Sequence, residues 1–339
     1  MTGLPLGKLP NDLLAGLLNE IAANDRVVVG PGVGHDVAVI SPTSQFIAIE
    51  TDPITFASDS IGWYAININA NDIATSGATP KFFLATLLFP PKTTPEKIKA
   101  VFVQLQQAAE RLGVSVIGGH TEITDAVTRT IASGTMIGEV DHDRLVQPSG
   151  LKPADVILLT KGPAIEATSI IAREMPDRLR AASLSDDIIE EAANFLHSPG
   201  ISVLPDAKTA MDTAPIHAMH DPTEGGVATA LWEMAIASDV GMQVDVDALR
   251  ADETTSAVCE AVGIDPLGAI SSGALLIGLA ESDSQSVVRA LVDSGISVET
   301  VATVSASEKG MVWTEGAAVV PWPMFERDEI ARLFEQGAK

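Results

Sequence analysis

Apolar residues recur every three to four positions over residues 10–23, where Leu13, Leu14, Leu17, Leu18 and Ile21 share one side, and this spacing predicts an amphipathic helix. A glycine-rich bend, GPGVGHD, follows, and then two short apolar runs, VAVI and FIAIETD, that read as strands. Residues 60–76 return to the helical period and are closed by Gly77, with Pro80 beyond. KFFLATLLF predicts a buried strand, and TPEKIKAVFVQLQQAAERLG a helix with acid early and Arg late, as the helix dipole favours. VSVIGGHTEI reads as a strand running into a glycine turn, and TRTIASGTMIGEV as one long strand or a strand pair.

Pro148, Gly150 and Pro153 mark a domain junction, giving expected domains of residues 1–148 and 149–339. Beyond it, DVILLT predicts a buried strand, and helical stretches follow near 165–175 and 186–196. HAMHDPTEGG breaks into the helix VATALWEMAIAS, and GALLIGL, SDSQSVVRALVDSG and SVETVATVS read strand, helix, strand. A docking helix is expected in the last 20 residues, after PWP. No short-period repeat and no low-complexity segment interrupts this mixture of helices and strands.

One position breaks the pattern. Ile61, Ala65 and Ile68 define a helical face, and the next position on it is Asp72. A carboxylate buried there must find a partner or take up a proton; the competing reading is that Asn71 and Asp72 cap the chain near Gly77. Asp36, Asp52, Glu122 and Asp221 also fall at strand ends or glycine turns, where each alone reads as a turn residue or helix cap. Together they suit Mg²⁺, which prefers oxygen ligands and combines one or two carboxylates with phosphate oxygens. Glycine turns and the helix start in PTEGGVATALWEMA would supply backbone N–H groups to phosphates. The chain carries neither GxxxxGK[ST], GxGxxG nor GxSxG. His217 and His220 stand three apart, but lack the further N/S ligands a zinc site needs.

Composition narrows the partners. The 339 residues are 46% hydrophobic, enough for about two domains with substantial cores. A formal charge of −24 argues against nucleic acid, whose phosphates need neutralising Lys and Arg. No basic run suits a membrane surface, and no apolar run is long enough to span one. A single cysteine, Cys259, forbids an intrachain disulfide and sits in a helical stretch as a small core residue. Without a basic, apolar leader at the start, a cytoplasmic protein is expected.

In order along the chain, GVGHDVAVI, AIETDPITF, IGWYAININANDIATSGATP, IGGHTE, TMIGEV, LKPADVILLTKG, HDPTEGGVATALWEMA and SSGALLIGL resemble the superfamily of aminoimidazole ribonucleotide (AIR) synthase, HypE, selenophosphate synthetase and thiamine-monophosphate kinase. The likeness covers about residues 7–315, and DPTEGG and SGALLI point to the HypE-like, AIR synthase-related branch. It implies an α+β N-terminal domain that pairs with a second copy into a barrel-like sheet, and an α/β C-terminal domain. It implies ATP and Mg²⁺ as cofactors, a small-molecule substrate and a homodimer. By that resemblance Asp36, Asp52, Asp72 and Asp221 would hold the metal. The candidate nucleotide contacts are Lys8, Gly118, Gly119, His120, Thr121, Glu122, Lys161 and Thr223. Departures stand beside it: His35 replaces an acid of many relatives, His120 matches only the selenophosphate synthetases, and LFEQGAK lacks the cysteine of the HypE tail. The implied activity is phosphoryl transfer from ATP to a small acceptor; the alternative is a non-catalytic, nucleotide-binding maturation partner of another protein.

Overall fold

The computed structural model describes residues 27–29, 34, 38–41 and 45–337. The helix expected over 10–23 and the residues Lys8, His35 and Asp36 lie outside them. The described residues fall into two compact units, one of Val27–Val29 with residues 38–41 and 45–145, the other of Gly34 with residues 146–337.

In the first unit β1 (Val27–Val29), β2 (Ala38–Ile40), β3 (Phe46–Glu50), β4 (Pro53–Ile54), β5 (Thr79–Phe89), β6 (Ser115–Ile123) and β7 (Ile131–Val140) form one sheet in the order β1-β2-β3-β7-β5-β6, with β4 also on β7. Helices α1 (Ile61–Thr75) and α2 (Pro95–Leu112) complete it. All strand pairs are antiparallel except β5–β6, which α2 connects as a crossover. The strands bury alternate residues: Ala132, Gly134, Met136, Gly138 and Val140 on β7 share the inner face with Phe83, Ala85, Leu87 and Phe89 on β5. Glycines set the distance of α1 on both sides. A Cβ on Gly138 would lie 2.4 Å from Ile73, and one on Gly62 would lie 2.6 Å from the Val101 carbonyl of α2. Helix α1 is therefore buried all round except at Trp63, rather than along one face as its period predicts.

Strand β6 differs from its expected form. The glycines do not turn the chain; the strand runs through them to Ile123, paired with Phe89. Gly119, at φ +141°, is needed because a Cβ there would sit 1.9 Å from the Ala85 carbonyl on β5. Every residue of β6 is exposed.

The second unit holds β8 (Asp155–Thr160), β9 (Ala218–His220), β10 (Val240–Asp245), β11 (Leu276–Ala280), β12 (Val298–Ala306), β13 (Met311–Glu315) and β14 (Ala318–Val320), in the order β14-β13-β10-β12-β8-β11-β9. Only β10–β13 is parallel. Its helices are α3 (Ile165–Glu174), α4 (Pro176–Ala181), α5 (Asp186–Asn194), α6 (Leu204–Thr213), α7 (Gly226–Ser238), α8 (Glu253–Val262), α9 (Glu281–Asp293) and α10 (Glu329–Gly337). Central β8 is buried at all six positions, as its unbroken apolar run demands. Ile157 and Leu159 of β8 pack with Leu231 of α7, Met242 and Val244 of β10, and Trp313 of β13 in one core. No helix among the described residues is long and apolar enough to cross a membrane.

Candidate functional site

In the first unit the geometry centres on Asn69, a residue that sequence reading passed over. Its amide is fully buried on α1 and clasps the peptide at Asp52: the Asp52 N–H donates to Asn69 Oδ1 (3.2 Å) and Asn69 Nδ2 donates to the Asp52 carbonyl (3.3 Å). The Asp52 carbonyl also accepts from the Gly134 N–H at 2.9 Å. Gly134 must be glycine, because a Cβ there would lie 2.2 Å from Asn69 Oδ1. Asp72 stands three residues after Asn69, hence on the same side of α1, and is buried. Neither Asn71 nor Asp72 caps the helix. The cap is Ser76, whose hydroxyl donates to the Ile73 carbonyl at 2.8 Å, while Thr75 donates to the Asp72 carbonyl at 2.7 Å. One helical turn thus carries the side chain that fixes Asp52 and the carboxylate of Asp72.

Gly118, Gly119, His120, Thr121 and Glu122 all lie on exposed β6. By register Gly118, His120 and Glu122 share a face with Leu84, Thr86 and Leu88, the face away from α1. The His120 ring stands 3.3 Å from the Glu122 carboxylate, with both side chains about half in solvent. Such an exposed pair contributes little to stability.

In the second unit three loops are knitted together by Ser271. Its N–H donates to the Pro222 carbonyl (3.1 Å), its hydroxyl accepts from the Ala164 N–H (2.7 Å) and donates to the Ala269 carbonyl (2.7 Å). TKGPA, DPTEGG and SSGALL, separated by tens of residues, are therefore joined through one residue, Ser271, that is wholly buried. Asp221 follows β9 directly and is completely buried; helix α7 starts only at Gly226, so Asp221 is not its cap. The N-cap of α7 is Gly225, which has no side chain to cap it, and α3 likewise begins at Ala164 without a side-chain cap. At these helix starts the Ala164 N–H is held by Ser271, the Ala167 N–H by the Ile270 carbonyl (3.1 Å) and the Gly226 N–H by the Thr223 carbonyl (2.9 Å), and the remaining first-turn amides lie beside the Ser271 knot.

His220, next to Asp221, holds Glu233 of α7 through a buried contact of 3.0 Å. Gly34 of the GPGVGHD bend, at φ +75°, packs on that same residue: a Cβ on Gly34 would come within 3.1 Å of the Glu233 carbonyl. Two motifs far apart in sequence thus meet at Glu233. Lys161, expected at a phosphate, is buried with its ammonium 3.0 Å from Asp206 and 2.7 Å from the Ser202 carbonyl. That ammonium is committed to holding the Thr160–Ala164 loop. His217 pairs with Asp155 (2.8 Å) and stands 3.4 Å from the Lys152 ammonium, a structural cluster at the start of β8. Cys259 is buried, and burial, with Asp265, Asp252 and Glu329 nearby, pushes its thiol up to about 12, so it is no nucleophile. Among the described residues no group of three or more His, Cys, Asp and Glu could hold a metal ion.

Comparison with known proteins settles the family. The family model for the N-terminal domain of AIR synthase related protein matches residues 34–140, and that for its C-terminal domain matches residues 152–314. The chain belongs to the AIR synthase related family. Carbamoyl dehydratase HypE of Rhizobium leguminosarum bv. viciae is 25% identical to this member over 297 residues, covering 84% of this chain and 79% of that protein. The fold is shared with HypE in a solved HypE–HypF complex (TM-score 0.69, 21% identity, 86% of this chain and 94% of that one). It is shared too with a hydrogenase maturation protein HypE in complex with ATP (TM-score 0.64, 21% identity, 92% and 90%).

As an AIR synthase related protein, the chain uses residues that its motifs alone do not single out. Asn69 looks like a poor helix former, and only its partners reveal that it fastens Asp52. Ser271 stands in the quoted SSGALLIGL motif, yet nothing in that string names Ala164 or Pro222 as its partners. Lys161 gives no sequence hint of Asp206, 45 positions on.

Proposed function

We propose that the protein binds ATP with Mg²⁺ and transfers a phosphoryl group to a small-molecule acceptor, as a homodimer. The observation that carries this reading is the Ser271 knot. It gathers two helix starts whose own N-cap residues supply no capping side chain, with buried Asp221, in one unit, an arrangement suited to an anion beside a carboxylate. The HypE solved with ATP supports the nucleotide, and the name carbamoyl dehydratase carried by relatives supports an amide or carbonyl oxygen as acceptor. Phosphorylation of such an oxygen, with ADP leaving, turns it into a phosphate that can depart.

The aspartates expected to meet Mg²⁺ are Asp36, Asp52, Asp72 and Asp221; as a set they offer only hard oxygen donors, which suits that ion in kind. When bound, the ion would neutralise phosphate charge. The chain's own residues do the rest: Asn69 and Gly134 hold Asp52 in place, and Thr223 with the Val227 and Ala228 amides would receive phosphate oxygens. Gly118, Gly119, His120, Thr121 and Glu122 remain proposed nucleotide contacts on β6, and Lys161 contributes by holding its loop. Positioning and charge neutralisation supply most of the rate enhancement in phosphoryl transfer, and we assign no general base.

Exposed β6 supports the homodimer. Among the described residues its outer edge has no pairing strand, and Val116, Ile117 and Ile123 stand in solvent, a surface a second copy could cover. A second reading, docking on another protein as a maturation partner, is favoured by the HypE–HypF complex. Titration of Mg·ATP into the purified protein decides the main reading. Wild type should bind, and Asp72→Asn and Asp221→Asn should each weaken binding at least tenfold, on the order of one lost charged contact. Unchanged affinity in both variants would remove the site assignment.

A further inference from the structure

The glycine turn that precedes α7 is held from a distant part of the chain. The Gly225 N–H, at the N-cap of α7, donates to Asp328 Oδ2 at 2.8 Å, across 103 residues. The other oxygen, Asp328 Oδ1, accepts from the Ile330 N–H at 2.7 Å in the first turn of α10. One buried carboxylate, 2% exposed, therefore sits at the start of two helices at once. Both helix dipoles favour its negative charge there.

Helix α10 is itself locked to the second unit, so Asp328 is not a mobile cap. Ile330, Ala331 and Leu333 are buried. The Asp265 N–H donates to Glu329 Oε2 (3.2 Å), and Arg332 Nη2 donates to the Gly263 carbonyl (2.7 Å). Phe325 covers Gly268, where a Cβ would come 2.3 Å from its ring. The neighbouring Leu267 and Ala269 backbone presses on Gly226, at φ +62°, where a Cβ would meet the Leu267 carbonyl at 2.4 Å. The turn is thus confined between the 267–269 segment and Asp328, while Ser271 holds its Pro222 carbonyl. Glycines that stand at positive φ gain their freedom at the cost of rigidity. A fixed acceptor on the Gly225 N–H removes that freedom in the folded protein.

We propose that Asp328 is a positioning residue: its carboxylate fixes the turn over residues 221–226 and thereby sets nucleotide affinity. This rests on the reading of that turn as part of the ATP site. The amide of Gly225 is turned onto Asp328 and that of Gly226 onto the Thr223 carbonyl (2.9 Å), which leaves the Val227 and Ala228 amides of α7 to face a phosphate. Binding then depends on a carboxylate that touches no ligand.

The test is calorimetric titration of Mg·ATP into the full chain and four variants, with hydrogen exchange at Gly225–Val227 as a readout independent of ligand. Asp328→Ala should raise Kd about tenfold, the worth of one charge-assisted hydrogen bond, and should speed exchange at the turn in the ligand-free protein. Asp328→Asn keeps one acceptor and should recover part of both effects. Arg332→Ala loosens the same helix without touching the turn, and should leave Kd within about twofold. Asp221→Asn reports on the site itself. If Asp221→Asn weakens binding while Asp328→Ala and Asp328→Asn bind as wild type does, the proposal for Asp328 fails alone. It fails also if Arg332→Ala raises Kd as much as Asp328→Ala, or if removing the carboxylate tightens binding, since Asp328 would then occupy the phosphate's own place. Should Asp328→Ala not fold, Asp328→Asn against Arg332→Ala gives the same decision. Absence of ATP binding by wild type overturns both the site and the proposal built on it.

Discussion

Two glycine pairs, each beside a threonine and an acid, end in opposite surroundings. Gly118 and Gly119 of IGGHTE lie within exposed β6, whereas Gly225 and Gly226 of DPTEGG form a turn confined by Asp328, Leu267 and Ala269. Both pairs report a close approach of backbone, but the partner differs. Gly119 approaches the strand beside it, and that approach serves pairing within the sheet. Gly226 approaches the Leu267 and Ala269 backbone, distant in sequence, and that approach shapes a turn. A glycine pair in a sequence therefore signals crowding without saying whether the crowding builds a sheet or a site.

Substitution of single glycines should separate the cases most strongly. Gly226→Ala places a Cβ against the Leu267 carbonyl at positive φ, and Gly119→Ala does the same against Ala85; each should cost about 2–4 kcal/mol or prevent folding. Gly118→Ala meets only the tip of Leu84 at 3.7 Å and should change stability by less than about 0.5 kcal/mol. Urea denaturation of the three variants checks this, and a disruptive Gly118→Ala would undo the contrast.

The confined turn should also carry a pH signature. Burial pushes the Asp328 carboxyl from 3.8 up to about 7, against the two backbone N–H donors that lower it, and Glu224 and Glu329 raise it further. Folding then takes up a proton in this window. The contribution is fully present below about pH 4 and is lost as pH rises towards 7, by an order of a few kcal/mol. Asp328→Asn should flatten this slope between pH 4 and 7; an identical slope in the variant would place the titration elsewhere.

The smallest effect on the folded chain should come from the edge of the first sheet. Ile117→Lys puts a charge on a side chain already 54% exposed, so monomer stability should move by less than about 0.5 kcal/mol. Sedimentation should nevertheless shift from dimer to monomer, because a lysine on an edge strand opposes pairing. A dimer that survives Ile117→Lys would place the interface off β6.

What the sequence made legible follows the range of the forces involved. Helices α1, α2, α7 and α9 and strands β5, β7, β8, β11 and β12 follow from local periodicity, because one or both faces are apolar at the expected spacing. Strands β10 and β13 were not legible: their parallel pairing joins Met242 with Met311, and neither run announces its partner. In the candidate site, buried Asp72 and Asp221 were visible as carboxylates in apolar or glycine-rich settings. Asn69, Ser271 and Asp328 were not, since their roles exist only through hydrogen bonds made at long separation. Lys161 misled for the same reason: a lysine in a glycine loop suggests phosphate, but Asp206 reaches it first.

The Ser271 hydroxyl has a consequence for anyone wishing to re-engineer this scaffold. Because one oxygen serves Ala164 and Ala269 while the same residue's N–H serves Pro222, no one of these loops can be transplanted from a relative by itself. A graft that changes TKGPA alone leaves a buried hydroxyl facing a foreign backbone. Swaps of specificity between branches of the family must therefore move the three segments as a set, and chimaeras cut between them should misfold before they mis-select.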